Sequence, residues 1–218
     1  MLVLAHRGYH ANAAENTLAA FEAAVACGVD GIETDVRLSR DDLPLLLHDR
    51  VVAGRAVSEM TRSELEAALG HPVPTLADAL ERFPDILWNI EIKTPKALPA
   101  TLAVLRQYQD KRRLMVTSFR HDVVLACAQA LPIECGLLIA QRPANLAAML
   151  QQCEDYANLR ILAWDYNILD EALLNAAVEQ GWRNFVYGAQ TCEEHEHCKR
   201  LGLAGLITDH PELAKDIL

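Results

Sequence analysis

Charged side chains stand out in two otherwise apolar segments of this 218-residue chain. Glu33 and Asp35 lie two residues apart in the run Gly-Ile-Glu-Thr-Asp-Val, and this spacing places both carboxylates on one face of a β-strand. Glu91 and Lys93 have the same spacing in Trp-Asn-Ile-Glu-Ile-Lys. Because an unpaired charge is expensive to bury, these groups must be paired, bound to a cation or functional.

Three carboxylates directed at one place would repel one another strongly unless a cation lay between them. Glu33, Asp35 and Glu91 form an all-oxygen ligand set, which suits Mg²⁺ or Ca²⁺ better than Zn²⁺. The alternative for Glu91 is a purely structural ion pair with Lys93. We favour a metal site, because these charges lie at or near the carboxyl ends of predicted strands, where barrel enzymes build their active sites.

Two histidines also follow predicted strands. His6 and Arg7 end the first strand, and His48 ends the run Pro-Leu-Leu-Leu-His. A cation flanked by two histidines, with Arg7 and Lys93 close by, is suited to an anionic ester. The cations would hold the phosphate while the histidines move protons in and out.

Short apolar, β-rich runs alternate with helical patterns along nearly the whole chain. Strands without a polar face, each followed by a helix, predict a parallel sheet covered by helices, and eight such units would close into a TIM-type (β/α)8 barrel. The nine candidate strands are Leu2–His6, Gly31–Arg37, Pro44–His48, Ile86–Lys93, Leu114–Phe119, Glu134–Ala140, Arg160–Tyr166, Asn184–Ala189 and Gly205–Thr208. The candidate helices are Asn16–Cys27, two opened by capping boxes at Thr61 and Thr75, Ala97–Gln109, His121–Ala130, Pro143–Cys153, Leu169–Gln180, Cys192–Leu201 and Pro211–Leu218.

Nine candidate strands do not fit eight places in a barrel. The second and third are joined only by residues 38–43, a link too short for a parallel crossover. We therefore expect an antiparallel hairpin with its turn near Asp41, which would bring Glu33 and Asp35 opposite His48. The alternative is that one of the short runs is a loop.

The composition limits the classes of function. Hydrophobic residues make up 51% of the chain and the formal net charge is −10. These values predict a globular protein and argue against a nucleic-acid or anionic-membrane surface. The sequence shows no secretory signal and no apolar run of the ~20 residues that span a membrane. Its six cysteines fit reduced thiols. We therefore expect one cytoplasmic domain over residues 1–218, without stable membrane association and of undetermined oligomeric state.

One further segment resembles a metal-binding tract. Cys192, His195, His197 and Cys198 lie among glutamates, but their spacing matches no usual zinc pairing. We interpret the run as the start of a helix whose glutamates favour the helix dipole. The remaining histidines are expected in surface or loop positions, and Asp209 is expected either to orient an active-site group or to be structural. These histidines are His10, His71, His121 and His210.

Seven short motifs, taken in order along nearly the whole chain, resemble the glycerophosphodiester phosphodiesterase family, in particular its short, cytosolic bacterial members. The motifs are His6-Arg7-Gly8, Glu15-Asn16-Thr17, Asp30-Gly31-Ile32-Glu33-Thr34-Asp35-Val36, His48-Asp49, Ile90-Glu91-Ile92-Lys93, Ser118-Phe119 and Gly205-Leu206-Ile207-Thr208-Asp209-His210-Pro211.

This resemblance implies a TIM-type barrel that cleaves glycerophosphodiesters to sn-glycerol 3-phosphate and an alcohol through a cyclic phosphate. It implies one divalent cation, Mg²⁺ or Ca²⁺, as cofactor and a small glycerophosphodiester as partner. The implied metal ligands are Glu33, Asp35 and Glu91, the implied general base and general acid are His6 and His48, and the implied phosphate contacts are Arg7 and Lys93. No Ser or Cys is paired with a base as a nucleophile, which agrees with attack by the substrate's own hydroxyl.

Two departures from the family pattern concern substrate choice. The segment after His48, residues 49–73, is short, so we expect a reduced cap over the site. The family's late Trp-Thr-Val-Asn appears here as Tyr187-Gly-Ala-Gln. Tyr187 and Trp164 are therefore the candidates for the substrate wall, with core or rim packing as the alternative for Trp164. Two other functions remain open: a related phospholipase acting on lysophospholipids or phosphoinositides, and a barrel that binds a phosphodiester without turnover.

Overall fold

Eight parallel strands close into a barrel in a computed structural model of the chain, which describes residues 1–214. In chain order the barrel strands are β1 (Leu2–His6), β2 (Gly31–Leu38), β6 (Leu87–Ile92), β7 (Arg113–Ser118), β8 (Glu134–Ile139), β9 (Leu159–Asp165), β10 (Arg183–Tyr187) and β11 (Gly205–Thr208). Neighbours in sequence are neighbours in the barrel, and β1 closes it by pairing with both β2 and β11. The predicted (β/α)8 barrel is confirmed.

Helices cover the outside of the barrel. They are α1 (Leu18–Ala26), α3 (Leu76–Arg82), α4 (Leu98–Tyr108), α5 (His121–Ala130), α6 (Leu146–Leu150), α7 (Glu171–Glu179) and α8 (Cys192–Arg200), whereas α2 (Arg62–Leu69) lies in the segment before α3. Capping boxes open α2 at Thr61 and α3 at Thr75, as the sequence predicts. Residues Pro211–Ala214 form a 3₁₀ turn, and the rest of the predicted helix to Leu218 lies outside the described residues.

The ninth candidate strand forms the expected hairpin. β3 (Pro44–Leu46) runs antiparallel to the end of β2, with Val36 opposite Leu46. The turn is closed by a hydrogen bond from the Ser39 amide to the Leu43 carbonyl oxygen. This hairpin extends beyond the barrel and leads the chain back, so that His48 returns to the level of the carboxyl ends of the strands.

The segment between β3 and α3 is where the sequence predicts a reduced cap. It contains a two-stranded hairpin, β4 (Val51–Val52) and β5 (Arg55–Ala56), followed by α2. Its apolar side chains pack with Leu45 of β3 in a small cluster separate from the main core: Val52, Val57, Met60, Leu65 and Val73. The segment therefore packs mainly on itself and on β3.

Apolar side chains fill two layers. The larger one lies between the strands and the helices and includes Phe21, Trp88 and Trp164, while the smaller one fills the barrel interior. The interior residues are Leu4, Met115, Leu138, Ile161, Ala163, Phe185 and Ile207. Since the interior is packed like this below the carboxyl ends of the strands, only the mouth of the barrel is left for a site.

Within residues 1–214, no helix is both long enough and apolar enough to cross a membrane. The tract around His195 is the ordinary helix start that we predict, because Thr191 and Glu194 form a capping box at α8. Both ring nitrogens of His195 are engaged, one with the Thr191 carbonyl oxygen and one with the Thr208 hydroxyl. The sulfur of Cys198 is in the main core.

Candidate active site

The three predicted metal ligands converge at the carboxyl end of the barrel. Glu33 and Asp35 extend from the same face of β2, and the parallel register sets Asp35 beside Glu91 of β6. One oxygen from each of the three carboxylates lies within 4.8 Å of the other two, and all three residues are buried. The alternating geometry of two neighbouring strands therefore builds the cluster.

Two cations partly balance these carboxylates. The Lys93 ammonium lies 2.8 Å from Glu91 Oε1 and 3.1 Å from Asp35 Oδ1. Arg7 Nε lies 3.2 Å from Asp35 Oδ2, while its terminal nitrogen pairs with Glu15 at 2.9 Å. Asp35 thus has a cation on either side.

The two cations lie closest to Asp35, so the three carboxylates differ in pKa. Burial would raise the pKa of Asp35, but Lys93 and Arg7 outweigh burial and hold it below its ordinary value. Glu33 has less compensation: burial and the neighbouring charge of Asp35 raise its pKa to about 8. Burial also raises the pKa of Glu91, despite the opposing charge of Lys93. Within the cluster, Asp35 therefore stays ionised most readily.

The cluster fits a hard divalent cation. All three donors are carboxylates, the set that Mg²⁺ and Ca²⁺ take in proteins. Asp35 Oδ1 is buried and accepts no hydrogen bond of good geometry, so a lone pair remains available for a metal. Among residues 1–214 this is the one group of three or more His, Cys, Asp or Glu side chains close enough to share an ion.

Asn16 holds Asp35 in place. Its amide nitrogen donates to Asp35 Oδ2 at 2.9 Å, and its oxygen accepts from the Asp35 amide and from the Thr34 hydroxyl. Asn16 adopts a left-handed backbone conformation (φ 56°), which short polar side chains tolerate. Because of this turn, α1 begins only after the cap Thr17 and not at Asn16, where the sequence predicts it.

His6 ends β1 at the edge of the cluster. Its Nε2 lies 3.8 Å from Glu33 Oε2, and its Nδ1 hydrogen-bonds Asp209 Oδ1 at 2.7 Å. Burial lowers the pKa of His6, but the hydrogen bond to Asp209 and the charge of Glu33 outweigh burial and raise it. The same oxygen of Asp209 is 3.1 Å from Nε2 of His10, which the sequence places only in a loop or on the surface.

A tight turn after His6 brings Arg7 over the cluster. Arg7 and Gly8 both have positive φ, 56° and 79°, and the Arg7 amide donates to Glu33 Oε2 at 3.1 Å. A Cβ on Gly8 would lie 2.8 Å from the Ala20 carbonyl carbon, so only glycine fits there.

His48 enters the site from the hairpin side. Arg37 Nε donates to its backbone oxygen at 2.7 Å, and its own Nδ1 lies 3.1 Å from Asp49 Oδ1. The side chain of His48 is 34% exposed, so solvent and substrate can reach it.

These residues surround one cavity of about 250 Å³ at the mouth of the barrel. One part of its lining is polar: His6, Arg7, Glu33, His48, Glu91 and Lys93. The other part is formed by Thr117, Phe119, Leu138, Tyr187 and Ile207. Asp35 lies behind the polar lining with its side chain fully covered. The sequence therefore identified the polar lining, but gave no role to Phe119, Asn16 or His10.

The two predicted wall residues have different positions. Tyr187 lines the cavity, with its ring edge-on to Phe119 at 5.8 Å. Trp164 does not: it is fully buried in the layer between strands and helices, and its Nε1 donates to Asn184 Oδ1. Successive residues of β9 alternate in direction, and Ile161 and Ala163 take the inward positions. Trp164 therefore does not form part of a substrate wall, and the alternative of core packing describes its position.

Fold and cavity together define a (β/α)8-barrel protein with a carboxylate cluster, two histidines and two cations at the catalytic mouth. The sequence matches the profile of the glycerophosphoryl diester phosphodiesterase family over residues 6–213, and the chain belongs to this family. It is therefore a phosphoric diester hydrolase.

Named relatives agree with this assignment over the full length. A glycerophosphodiester phosphodiesterase of Caldanaerobacter subterraneus subsp. tengcongensis is 30% identical over 97% of this chain and 95% of the relative. The structure of a Thermotoga maritima glycerophosphodiester phosphodiesterase superposes with a TM-score of 0.87 at 28% identity, covering 100% of this chain and 98% of the other. An Oleispira antarctica phosphodiesterase in complex with the product sn-glycerol-3-phosphate has the same fold, with a TM-score of 0.88 at 22% identity over 100% of this chain and 96% of the other.

Proposed function

We propose that this protein hydrolyses small glycerophosphodiesters to sn-glycerol 3-phosphate and an alcohol, using one divalent cation, Mg²⁺ or Ca²⁺. The observation that carries this proposal is the convergence of His6, His48, Glu33, Glu91 and Lys93 on one cavity in a member of this family. Similarity to relatives that carry this name supports the substrate class. The cytoplasmic location stays a prediction from the sequence, as does the single domain over residues 1–218.

Glu33, Asp35 and Glu91 would hold the cation. When bound, it would neutralise negative charge on the phosphate and lower the pKa of the attacking hydroxyl. Lys93 and Arg7 would bind the remaining phosphate oxygens. The ammonium of Lys93 carries three N–H donors and lies beside Asp35 and Glu91 through charge pairing, so at least one donor can be directed to phosphate.

The two histidines would exchange roles over two steps. In the first, His6 accepts the proton of the glycerol 2-hydroxyl, whose oxygen bonds to phosphorus. The bond from phosphorus to the alcohol oxygen breaks, and His48 gives that oxygen a proton. In the second step His48 accepts a proton from water, water opens the cyclic phosphate, and His6 returns its proton to the 2-oxygen.

Release of glycerol 3-phosphate from glycerophosphocholine and glycerophosphoethanolamine tests the proposal. We expect release with Mg²⁺ or Ca²⁺ and none after EDTA treatment. His48→Ala should abolish turnover in a protein that still binds the cation, whereas His71→Ala, a change at a half-buried histidine outside the active-site cavity, should not. Absence of product with every metal and head group would refute the enzymatic proposal, and near-normal turnover by His48→Ala would refute its assignment as general acid. A product from lysophosphatidylcholine alone would favour the phospholipase alternative.

A further inference from the structure

Two imidazoles share one carboxylate oxygen beside the cavity. His6 Nδ1 lies 2.7 Å and His10 Nε2 lies 3.1 Å from the same atom, Asp209 Oδ1. We propose that Asp209 and His10 are positioning residues, which hold the ring of His6 in the orientation and tautomer that present Nε2 to the cavity. The proposal deepens the proposed function, because it rests on His6 as the acid–base group.

The tautomer follows from the chemistry of the contact. An ionised carboxylate only accepts hydrogen bonds, so a 2.7 Å contact to Asp209 requires the proton on Nδ1 of His6. The lone pair of the neutral ring is then on Nε2, which lies on the Glu33 side, 3.8 Å from Oε2. With the opposite tautomer, Nδ1 would be left facing the carboxylate without a proton, and Nε2 could not accept one from substrate.

Barrel closure places Asp209 opposite His6. Strands β1 and β11 pair in parallel, with Ala5 beside Thr208, and the next residue of each strand end is His6 and Asp209. Thr208 fixes the turn that follows: its hydroxyl donates to the buried His195 Nε2 at 2.8 Å and accepts from the His210 amide at 2.9 Å. The hydrogen bonds of Thr208 therefore hold the end of β11, and Asp209 with it, in a fixed position.

His10 provides a second hydrogen-bond donor to the Asp209 carboxylate. The left-handed turn at Arg7 and Gly8 reverses the chain after β1, and His10 reaches back to the carboxylate. A carboxylate held by one donor can still rotate about its terminal bond, whereas a second donor at the same oxygen restricts that rotation. The His10 side chain is 28% exposed and Asp209 29%, so neither is a packing residue of the core.

Replacement of Asp209 and of His10 should have different kinetic effects. Asp209→Asn keeps the shape but can present an NH₂ group to Nδ1, which favours the wrong tautomer. We expect kcat to fall by about 10–100-fold, the usual loss when a group that orients an active-site residue is removed, with KM nearly unchanged. His10→Ala should lower kcat by about five-fold, roughly the effect of one hydrogen bond, and His10→Gln should recover most of this loss because its amide nitrogen can take the place of Nε2.

The experiment combines kinetics with nuclear magnetic resonance of the protein labelled with ¹⁵N-histidine. Turnover of glycerophosphocholine gives kcat and KM for the wild type, the three variants and the control His71→Ala. The ¹⁵N spectra, with His6 assigned by its loss in His6→Gln, give the tautomer of His6 at a pH where its ring is neutral. We expect a single Nδ1-protonated form in the wild type, a mixture in Asp209→Asn, and an unchanged thermal unfolding temperature in His10→Gln.

The outcomes separate this inference from the proposed function. If the wild type released no glycerol 3-phosphate, the proposed function would fail, yet the spectra would still decide how His6 is held. An Nε2-protonated His6 in the wild type would overturn the inference, as would an Asp209→Asn variant with normal kcat and an unchanged His6 spectrum. If Asp209→Asn unfolded, His10→Ala and His10→Gln would provide the test, and equal kcat in both would overturn the role of His10.

Discussion

Replacing Glu33 by glutamine should stabilise the metal-free protein at neutral and basic pH while it abolishes cation binding. Glu33 is the carboxylate of the cluster with the least compensation, since burial and Asp35 together raise its pKa to about 8. In the folded, metal-free protein its charge is therefore unfavourable. Glutamine keeps the shape of the side chain and removes that charge, at the cost of one ligand for the metal.

The sign and size follow from proton linkage. The pKa of Glu33 is about 8 in the folded protein against an ordinary value of 4.5, so the folded state holds an extra proton between these values. The free energy of unfolding should therefore fall as pH rises from 4.5 to 8, by at most ~1.4 kcal/mol per pH unit and ~5 kcal/mol in all. Glutamine does not ionise, so the free energy of unfolding of Glu33→Gln should lack the part of this decline that Glu33 causes.

The assay is urea unfolding in EDTA between pH 5 and 9, repeated with saturating Mg²⁺ or Ca²⁺. The difference in free energy of unfolding between Glu33→Gln and wild type should grow with pH in EDTA. Added cation should stabilise only the wild type, by ~2.7 kcal/mol when its concentration is a hundred times the Kd.

Asp35→Asn is the matched control, because it makes the same kind of change at the neighbouring carboxylate with the opposite expected sign. Lys93 and Arg7 hold the pKa of Asp35 below its ordinary value, so the ionised form contributes stability at every pH above that value. Its loss removes the carboxylate that Lys93 and Arg7 share, which leaves Lys93 with Glu91 alone and Arg7 with Glu15 alone. Breaking this buried network should destabilise the protein, by up to ~3–5 kcal/mol. Parallel pH profiles for wild type and Glu33→Gln, or stabilisation by Asp35→Asn, would refute the charge distribution argued for the cluster.

Three further predictions concern one residue beside the carboxylate cluster, one in the cavity lining and one in the core. Asn16→Ala should weaken cation binding by about 10–100-fold in calorimetric titration, because Asp35 loses a side chain that orients it; unchanged affinity would contradict this role. Phe119→Ala should raise KM for glycerophosphocholine several-fold with little change in unfolding temperature, since Phe119 is 45% exposed at the cavity and pairs edge-on with Tyr187. Trp164→Phe should do the reverse, lowering the free energy of unfolding by ~1–3 kcal/mol through lost packing and the loss of the donor to Asn184 Oδ1, while leaving KM unchanged. A raised KM would show that Trp164 does contribute to the substrate wall.

The hairpin and the metal cluster could be predicted because each depends on short-range geometry. Six residues cannot make a parallel crossover, so the antiparallel pairing of β2 and β3 follows from the length of the link alone. Two carboxylates at positions 33 and 35 share a face in any strand. Their meeting with Glu91 needs only that the next barrel strand, β6, pair in parallel beside β2, as it does.

The face of β9 on which the Trp164 side chain lies could not be predicted from the sequence. Strand β9 is apolar on both faces, because one faces the barrel interior and the other the helices. Hydrophobic alternation marks direction only when one face is exposed to water, so nothing in the sequence distinguished Trp164 from Ala163. Only the register of the closed barrel shows that Trp164 lies on the face of β9 that packs against the helices.

The contacts of Asp209 with His6 and with His10 differ in how far the sequence predicts them. Residues 6 and 209 meet because the last strand closes against the first, and that neighbour relation follows from the barrel prediction. His10 reaches the same carboxylate only through the positive-φ turn at Arg7 and Gly8. A turn of this kind is set by one glycine and its packing against Ala20, which a general secondary-structure pattern does not reveal.

The charges at the cavity also explain how a chain of net charge −10 can take an anionic substrate. For the three carboxylates of the cluster and the two cations that contact Asp35, full ionisation gives a charge of −1, which is unfavourable for a phosphodiester. Protonation of Glu33 brings this local charge to zero without attracting the substrate. A bound divalent cation instead brings it to +1, and the single negative charge of a phosphodiester then neutralises it. Acidic groups farther away than a Debye length of ~8 Å are screened by salt, so the net charge of the whole chain weighs less in binding than the charges at the cavity.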